Sequence, residues 1–462
     1  MRILVVSSNF YPDIFAVNGL VERMVQRGHE VTVLTGLPDY TTGEVPERYQ
    51  HGRIARETYK GAEVYRVQTH PRHHGAFHRA WNYLSFWFKG YSTIQRSGKR
   101  FDLVYVWEVS PVTQLFPAIR VGKKQRIPVY CYCMDIWPEC VKAMGFREGT
   151  PAYRIIHRLS RRAYRSADHI AISSEPFREY LTQVDGVDPA KISYLPQYGP
   201  QWMLEEDYEK ANCQTEADRC ITFLYIGNIG KATRLDVLIR AAAIVRDKET
   251  AAITIDKEPV STAGEKETTP ATKAAVTSLT SSTEEKALRK NAVEEDSMKV
   301  SAALPFRVII AGSGSDADRC RALADELGLG DVIEWKGSVP FHETGNLYRQ
   351  ADCCVLTLDG SNRIGDTLPG KIQTYMAAGK PIVASCNGAG AQVIRESGCG
   401  IAVPANDPEE MAEAMLTFLS HPEQFADAGE KGREYFRAHF LEEDHLNQLE
   451  REMTELTAAF SS

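Results

Sequence analysis

Residues 3–34 have the sequence ILVVSSNFYPDIFAVNGLVERMVQRGHEVTVL, and their pattern of apolar residues predicts the architecture of the chain. This stretch begins with four apolar residues in a row, as is typical of a strand buried on both faces. After a polar loop, apolar residues recur at helical spacing from Leu20 to Val25, and Gly28 ends the predicted helix. A second apolar strand begins at Glu30. Strand, helix and strand within about 35 residues form a βαβ unit, the element of a doubly wound parallel sheet.

The same alternation continues along the chain and predicts two domains. Further strands over 102–106, 128–132 and 169–172 complete a first α/β domain, residues 1–200. The polar residues 201–219 are predicted to be a linker. The alternation restarts at Ile221, with later strands over 307–311, 332–335, 353–356 and 381–384. We therefore predict a second Rossmann-like domain, residues 220–435, followed by a C-terminal helix over 436–462.

Residues 247–305 interrupt the second domain. They contain no aromatic residue and consist mostly of Thr, Ser, Ala, Glu and Lys. Such a segment buries too little apolar surface to offset its ordering entropy, so we predict a disordered low-complexity insertion. A surface loop without a role and a regulatory or docking segment are both open alternatives.

Length and composition restrict the class of protein. A chain of 462 residues with 43% apolar and 25% charged residues is typical of a two-domain globular protein. The net charge of -7 argues against nucleic acid as a partner. The ten cysteines form no paired CxxC motifs, so a structural zinc site is not expected. No signal-like or membrane-spanning stretch is present, and we expect a cytoplasmic protein with at most peripheral membrane contact.

Two glycine-rich loops each follow a predicted strand directly. The first is Gly227-Asn228-Ile229-Gly230-Lys231, and the second is Gly312-Ser313-Gly314-Ser315-Asp316. Ligands of doubly wound sheets bind at the carboxyl ends of strands, where glycines let backbone amides approach an anion. Lys231 would supply a positive charge. For each loop alone, an ordinary tight turn without a ligand is an equally open alternative.

A third loop, residues 366–381, has the sequence DTLPGKIQTYMAAGKP. Pro369 and Gly370 break the chain and open a short helix. The amides of Gly370, Lys371 and Ile372 are expected to be free at the helix start, where the dipole favours negative charge. The three loops together predict a diphosphate site that Lys371 and Lys231 reach from opposite sides.

Several short motifs occur in a fixed order over nearly the whole chain. They are Asn9-Phe10-Tyr11-Pro12, residues 27–33, residues 35–40, Asp135-Ile136-Trp137-Pro138-Glu139, residues 227–231 and residues 376–385. In this order they resemble family 4 of the retaining glycosyltransferases, which have the two-domain GT-B fold with a central cleft. Within that family the chain looks like bacterial enzymes of capsule, exopolysaccharide and O-antigen assembly.

The resemblance implies a nucleotide-sugar donor, expected to be a UDP-sugar, on the C-terminal domain, with no cofactor and no metal. It also implies a lipid-linked oligosaccharide or saccharide acceptor on the N-terminal domain, and a final segment that crosses back onto that domain. Acceptor contacts are expected from the motif residues Asn9, Tyr11, Asp39, Tyr40, Trp137 and Glu139. Asp135 is expected to orient the acceptor or to cap structure. The donor contacts implied are Gly227, Asn228, Gly230, Gly312, Ser313, Gly314, Pro369, Gly370, Ile372 and Thr374.

Three positions depart from the family pattern. Where the family commonly has two glutamates around the third loop, this chain has Asp366 and Thr374. Asp366 is expected to contact sugar hydroxyls, whereas Thr374 cannot supply the charge-assisted hydrogen bond of a carboxylate. Met134 replaces a histidine that often precedes Asp135. We assign catalysis to Lys231, Lys371, Asp366 and Asp135 and predict sugar transfer with retention of configuration. One alternative is a catalytically silent scaffold. A nucleotide-sugar 2-epimerase is a second, less favoured alternative.

Residues 72–89 combine basic residues with a dense run of aromatic ones, a composition suited to a lipid interface. We predict peripheral contact there with the inner face of the plasma membrane. The alternative is that Trp81, Leu84 and Phe88 form the core face of an ordinary helix.

Overall fold

The computed structural model describes residues 1–40, 43–72, 75–142, 146–208, 220–255, 305–340, 343–361 and 363–461. Two separate β-sheets organise this part of the chain, one of eight strands and one of six. Helices cover the faces of both sheets. The predicted fold class, α/β with two Rossmann-like parallel sheets, is confirmed.

The first sheet has the strand order β3-β4-β2-β1-β5-β6-β7-β8. All neighbouring strands run parallel except β3 and β4, which form an antiparallel hairpin at one edge. The sheet is therefore mixed at that edge, and the hairpin was not predicted. Its strands are β1 (Arg2–Val6), β2 (Glu30–Thr35), β3 (Arg56–Tyr59), β4 (Ala62–Arg66), β5 (Leu103–Glu108), β6 (Val129–Cys133), β7 (His169–Ile172) and β8 (Ile192–Tyr194).

Helices lie on both faces of the first sheet because its strands are apolar on both faces. One face packs against α1 (Ala16–Gln26). The other face packs against a layer of three helices, α2 (Ala76–Gln95), α3 (Leu115–Gln125) and α5 (Pro151–Arg165). The short helices α4 (Glu139–Lys142) and α6 (Pro176–Glu179) lie near the carboxyl ends of β6 and β7 in the chain.

The second sheet has the strand order β11-β10-β9-β12-β13-β14, and all of its strands run parallel. Its strands are β9 (Ile221–Ile226), β10 (Phe306–Ala311), β11 (Ile333–Gly337), β12 (Cys353–Thr357), β13 (Ile382–Ser385) and β14 (Gly400–Val403). One face is covered by α7 (Leu235–Ile255), α8 (Ala317–Glu326) and α12 (Pro408–Ser420). The other is covered by α9 (Gly345–Gln350), α10 (Gly370–Ala377), α11 (Gly388–Ser397) and α13 (Ala428–His439).

The end of the chain contacts both sheets. Residues 436–462 are not one helix, because α13 ends at His439 and α14 (Glu442–Ser461) begins after a short break. Phe436 is buried against the second sheet, whereas Leu446, Leu449 and Met453 of α14 are buried beside α1 on the first. Glu452 accepts a hydrogen bond from the Tyr130 hydroxyl of β6 at 2.6 Å.

Two predicted segment boundaries change. The insertion was predicted to begin at residue 247, but residues 247–255 belong to α7, which continues through Ile255. Residues 256–304 lie outside the described ranges. Of the predicted linker 201–219, residues 201–208 are described, and Met203 and Tyr208 are buried in the core of the second sheet.

The α2 helix places Phe86 in the core and leaves Trp81 and Phe88 exposed to solvent. The alternative in which Trp81, Leu84 and Phe88 form a core face is therefore wrong for two of its three residues. None of the helices in the described ranges combines the length and apolar character needed to span a bilayer.

Candidate active site

The two glycine loops at the carboxyl edge of the second sheet pack backbone against backbone. Gly312 has a φ of 153°, and a Cβ atom there would lie 1.8 Å from the carbonyl oxygen of Gly227. The Gly227 amide in turn donates to the Ala311 carbonyl at 2.9 Å. Because no side chain fits between the loops, glycine is required at Gly312.

The next residues of the two loops are joined in the same way. A Cβ atom on Gly314 would lie 2.3 Å from the Ile229 carbonyl oxygen, and the Ile229 amide donates to the Ser313 carbonyl at 2.9 Å. A cavity of about 290 Å³ opens above the paired loops. Its lining includes Gly227, Asn228, Gly312 and Ser313, together with Ser338 and Val339, which sequence reasoning did not find.

Lys371 of α10 lies beneath the first loop. A Cβ atom on Gly227 would lie 2.5 Å from its Cε atom, so the lysine stem fills the space that glycine leaves. The ammonium group donates to the Tyr225 hydroxyl at 2.5 Å and lies 3.8 Å from the centre of the Tyr225 ring. Burial lowers the pKa of Lys371 to about 7. The third loop is thus in direct contact with the first.

Lys231 differs from Lys371 in its surroundings. It begins a short 3-10 helix after Gly230, and its side chain is exposed. The Asp316 carboxyl group has a lowered pKa, caused mainly by its hydrogen bond with Arg319 and to a smaller extent by the charge of Lys231. The charge of Lys231 is therefore felt at Asp316 in the second loop.

The start of α10 offers fewer free amides than expected. The Ile372 amide donates to the Pro369 carbonyl at 3.0 Å, and the Ile372 side chain is fully buried. The prediction of a free amide at Ile372 is therefore wrong, because the first helical turn closes on itself. Gly370 is exposed. The Thr374 hydroxyl donates back to the Gly370 carbonyl at 3.0 Å, so it is engaged within the helix.

Asp366 lies where the two domains meet. Its backbone carbonyl accepts a hydrogen bond from the Ser174 hydroxyl at the end of β7. Its carboxylate pairs with Arg363 at 3.1 Å, and the Arg363 guanidinium lies over the Tyr180 ring of the first domain. Burial raises the pKa of Asp366, and the negative charges of Glu179 and Glu139 add to that effect. Arg363 and Ser174 are contacts that sequence reasoning missed.

On the first domain, Arg72 connects three of the predicted acceptor residues. Its amide donates to the Asp39 carboxylate at 2.8 Å, and its guanidinium lies 4.7 Å from the centre of the Tyr40 ring. The guanidinium also donates to the Asn9 side chain at 3.5 Å and lies over the Tyr83 ring. Burial raises the pKa of Asp39 to about 6. Arg72 belongs to the segment predicted to contact the membrane, and its contacts with these three residues were not predicted.

Tyr11 is held in place by a buried arginine. The Arg66 guanidinium donates to the Tyr11 carbonyl at 2.5 Å and to the Gly36 carbonyl at 3.0 Å. Its side chain is fully buried, and its Nε atom donates to Glu57 at 2.6 Å. Arg66 therefore joins the two loops that carry Tyr11 and Asp39.

Asp135 and Trp137 meet at one hydroxyl group. The Ser110 hydroxyl donates to Asp135 at 3.0 Å and accepts from the Trp137 indole at 3.1 Å. The Tyr83 ring lies edge-on to Trp137, with 6.3 Å between ring centres, which connects this group to Arg72. Burial raises the pKa of Asp135.

Glu108, at the carboxyl end of β5, is a fully buried carboxyl group that sequence reasoning missed. Within the described ranges, neither of its oxygen atoms has a hydrogen-bond donor in range. Burial and, to a smaller extent, the negative charge of Asp135 raise the pKa of Glu108 well above its usual value. The nearby Cys133 and Tyr164 lower this pKa, but by less. The folded protein therefore favours the neutral form of Glu108 more strongly than an exposed carboxyl group would.

The Glu139 carboxylate is bound by side chains of its own domain. The Tyr153 hydroxyl donates to it at 2.7 Å, and the Lys142 ammonium lies 2.8 Å from it. Burial raises the pKa of Glu139, but these partners and Tyr180 outweigh it, and the net shift is downward. The carboxylate anchors α4 to α5.

These features define the class of protein: a GT-B fold in which the carboxyl edge of the second sheet carries clustered glycine loops and a buried lysine. Solved structures share the fold over nearly their whole length. A sucrose-phosphate synthase from Thermosynechococcus elongatus has a TM-score of 0.68 at 16% identity and covers 99% of both chains. HepE from Anabaena, solved in complex with UDP and glucose, has a TM-score of 0.62 at 12% identity and covers 98% of this chain and 100% of its own.

The sequence identifies the family. Residues 15–197 match the family described as glycosyl transferase 4-like domain, and residues 284–421 match the family described as glycosyl transferases group 1. The chain belongs to the group 1, GT4-like glycosyltransferases, which confirms the resemblance found in its motifs.

Curated relatives match part of the chain. WcaL of Escherichia coli, named as a colanic acid biosynthesis glycosyltransferase, is 29% identical over 150 residues, 32% of this chain and 37% of its own length. A D-inositol 3-phosphate glycosyltransferase of Corynebacterium urealyticum is 29% identical over 126 residues, 26% of this chain and 28% of its own length. The alignments thus span about a third of these relatives.

Proposed function

We propose that the protein transfers a sugar from a nucleotide-diphosphate donor, a UDP-sugar, to an acceptor in the biosynthesis of a cell-surface polysaccharide. The observation that carries the proposal is the contact of all three predicted loops at one sheet edge, where Lys371 lies directly under Gly227. Membership of the group 1 family supports the reaction class. The binding of UDP-glucose by HepE, which has the same fold, supports the choice of donor.

In this proposal the paired glycine loops and the cavity above them hold the nucleoside diphosphate. Lys371, Lys231 and the exposed Gly370 at the start of α10 stabilise the negative charge that develops on the leaving diphosphate. These groups perform the task without a bound metal. Asp366, at the domain junction, contacts the sugar hydroxyls.

Transfer then proceeds with retention of configuration. The acceptor oxygen forms its bond to the anomeric carbon on the face from which the diphosphate leaves, and its proton passes to the departing phosphate oxygen. Asp135 orients the acceptor hydroxyl. NMR of the product would show the opposite anomer if this stereochemical proposal were wrong.

The acceptor is a lipid-linked or saccharide chain bound on the first domain. Arg72 supports this assignment, because it gathers Asn9, Asp39 and Tyr40 into one group with a positive charge at its centre. A guanidinium there suits a phosphate or a row of sugar hydroxyls. We place the reaction at the inner face of the plasma membrane, in keeping with the colanic acid role for which WcaL is named.

Calorimetric titration of the protein with UDP, GDP, ADP and dTDP tests the donor site, repeated on Lys371→Ala and Lys231→Ala. We expect one nucleotide to bind, with affinity reduced at least about tenfold in each variant, since a charge-assisted contact contributes about 1.5–3 kcal/mol. Arg240→Ala, an exposed change on α7, is the matched control and should bind as the parent does. Absence of binding to all four nucleotides would contradict the proposal.

A catalytically silent scaffold is the second candidate. It is favoured by Thr374, whose hydroxyl is engaged within its own helix where the family commonly has a carboxylate. A protein that binds UDP but forms no glycosylated product with any UDP-sugar and membrane extract would support this candidate. Product formation that Lys371→Ala abolishes would exclude it.

A further inference from the structure

The outer helix layer of the first domain has an unusual charge. Its three helices, α2, α3 and α5, contain no Asp or Glu, although the chain as a whole has 61 acidic residues and a net charge of -7. The α5 helix alone contains five arginines. A local positive face on an acidic protein attracts anionic partners.

The arginines of α5 are available for such a surface. Arg154, Arg158 and Arg162 are exposed, and no ion pair connects them to other residues in the described ranges. Ile155, between them, is 59% exposed. By contrast, Arg165 is engaged in the fold, because its guanidinium donates to the Asp185 carbonyl at 2.6 Å.

The α2 helix adds large apolar side chains to the same layer. Phe77, Trp81 and Phe88 are 75%, 52% and 69% exposed. They are separated by four and seven residues, so they lie on one face of the helix. Exposed aromatic residues next to basic ones are typical of helices that lie in a membrane interface. A surface that binds duplex DNA would have little use for Phe77 and Ile155.

An apolar cavity of about 180 Å³ opens between α2 and α5. Tyr83 and Leu84 line it from α2, and Ile156 and Leu159 line it from α5. Trp137 also lines it, and the Trp137 indole donates to the Ser110 hydroxyl that binds Asp135. A chain in this cavity would lie against the proposed acceptor site.

We propose that the outer faces of α2 and α5 dock on an anionic lipid bilayer and that the cavity between them receives a lipid chain. The arginines of α5 contact headgroup phosphates, and the aromatic residues of α2 enter the interface. The docking of α2 and α5 on a bilayer does not depend on the proposed function. The delivery of a lipid-borne acceptor past Trp137 does depend on the proposed function.

Vesicle flotation tests the docking surface. We expect the full chain to float with vesicles of equal parts phosphatidylcholine and phosphatidylglycerol at low salt, and not with phosphatidylcholine alone. Combining Arg154→Glu, Arg158→Glu and Arg162→Glu should lower binding at least about tenfold, because each basic residue near an anionic surface adds to the attraction. Combining Phe77→Ser and Trp81→Ser should also lower it.

The charge-matched control combines Arg240→Glu, Lys431→Glu and Arg451→Glu, which change the net charge equally at exposed sites elsewhere. It should retain most of the vesicle binding. UDP titration of each variant reports on folding and on the donor site, so a failure of the proposed function is distinguishable from a failure of docking. Absence of flotation, an equal loss in the control, or preference for duplex DNA over vesicles would overturn the docking proposal.

Quenching by lipids with brominated chains tests the cavity. Trp81 can be quenched in both proteins. We expect these lipids to quench the total tryptophan fluorescence less in Trp137→Phe than in the parent protein, because Trp137 contributes to the quenching only in the parent. Equal quenching in the parent and in Trp137→Phe would overturn the cavity assignment.

Discussion

The ammonium group of Lys371 lies 3.8 Å from the centre of the Tyr225 ring and donates to the Tyr225 hydroxyl at 2.5 Å. The Tyr225 hydroxyl in turn donates to the Asn228 carbonyl at 2.7 Å. The lysine is thus connected through one phenol to the first glycine loop. The ammonium group is thus placed to bind an anion that enters beside Gly227. Without an anion, keeping this buried group charged costs free energy.

That cost makes stability depend on pH. Burial lowers the pKa of Lys371 to about 7 in the folded protein, against about 10.4 in an unfolded chain. The folded state therefore binds fewer protons between these values, and its stability rises as the pH increases from about 7 to 10.4. Lys371→Met should be more stable than the parent at pH 6, with a difference that shrinks towards pH 10. Urea unfolding at the two values measures this; a difference independent of pH would contradict it.

Binding of UDP should raise the pKa of Lys371 again. A diphosphate beside Lys371 favours the charged amine, so UDP binding at pH 8 should take up protons. Calorimetry in buffers of different ionisation enthalpy measures the uptake. Lys371→Arg, which is always charged, is the control and should bind UDP with less uptake. Equal proton uptake in both proteins would show that another group titrates.

The close approach of the two glycine loops predicts a steric effect. Gly312→Ala would place its Cβ atom 1.8 Å from the Gly227 carbonyl oxygen at a φ that alanine rarely adopts. We expect a loss of about 2 kcal/mol or more in the free energy of unfolding, and loss of UDP binding. Gly330→Ala, where a Cβ atom would meet nothing within 4 Å, is the matched control. Comparable stability of the two variants would refute the packing argument.

Glu108 gives a second pH effect of opposite sign. Its pKa is raised by burial, so its contribution to stability is fully present below the unfolded value of about 4.3 and is lost as the pH rises. Glu108→Gln should therefore be more stable than the parent at pH 8 and similar to it near pH 4. Denaturant unfolding at both values measures this, with the exposed Glu326→Gln as the control. A loss of stability in Glu108→Gln at pH 8 would contradict the upward shift of the Glu108 pKa.

Strands buried on both faces were predictable because they consist almost entirely of apolar residues. Ile3–Val6 and Ile221–Ile226 are nearly unbroken apolar runs between polar loops, and both are strands in the structure. Arg56–Tyr59 and Ile192–Tyr194 were missed, because short strands at the sheet edges keep polar residues and lack that pattern. Their existence depends on neighbouring strands rather than on local sequence.

The candidate site was predictable as a set of loops but not as a set of contacts. Topology alone brings the turns at Gly227 and Gly312 to one edge of the sheet. The sequence around Lys371 is equally compatible with a lysine that points into solvent, and only the missing side chain of Gly227 makes room beneath the loop. The burial of Arg66 and Glu108 also depends on distant segments, which no local pattern reports.

A crystal structure of the complex with UDP would locate the donor site. We predict that the diphosphate lies at the paired glycine loops, within hydrogen-bonding distance of the Lys371 ammonium and near Lys231. UDP bound elsewhere on the chain, with Lys371 still donating to Tyr225, would contradict the donor site proposed here.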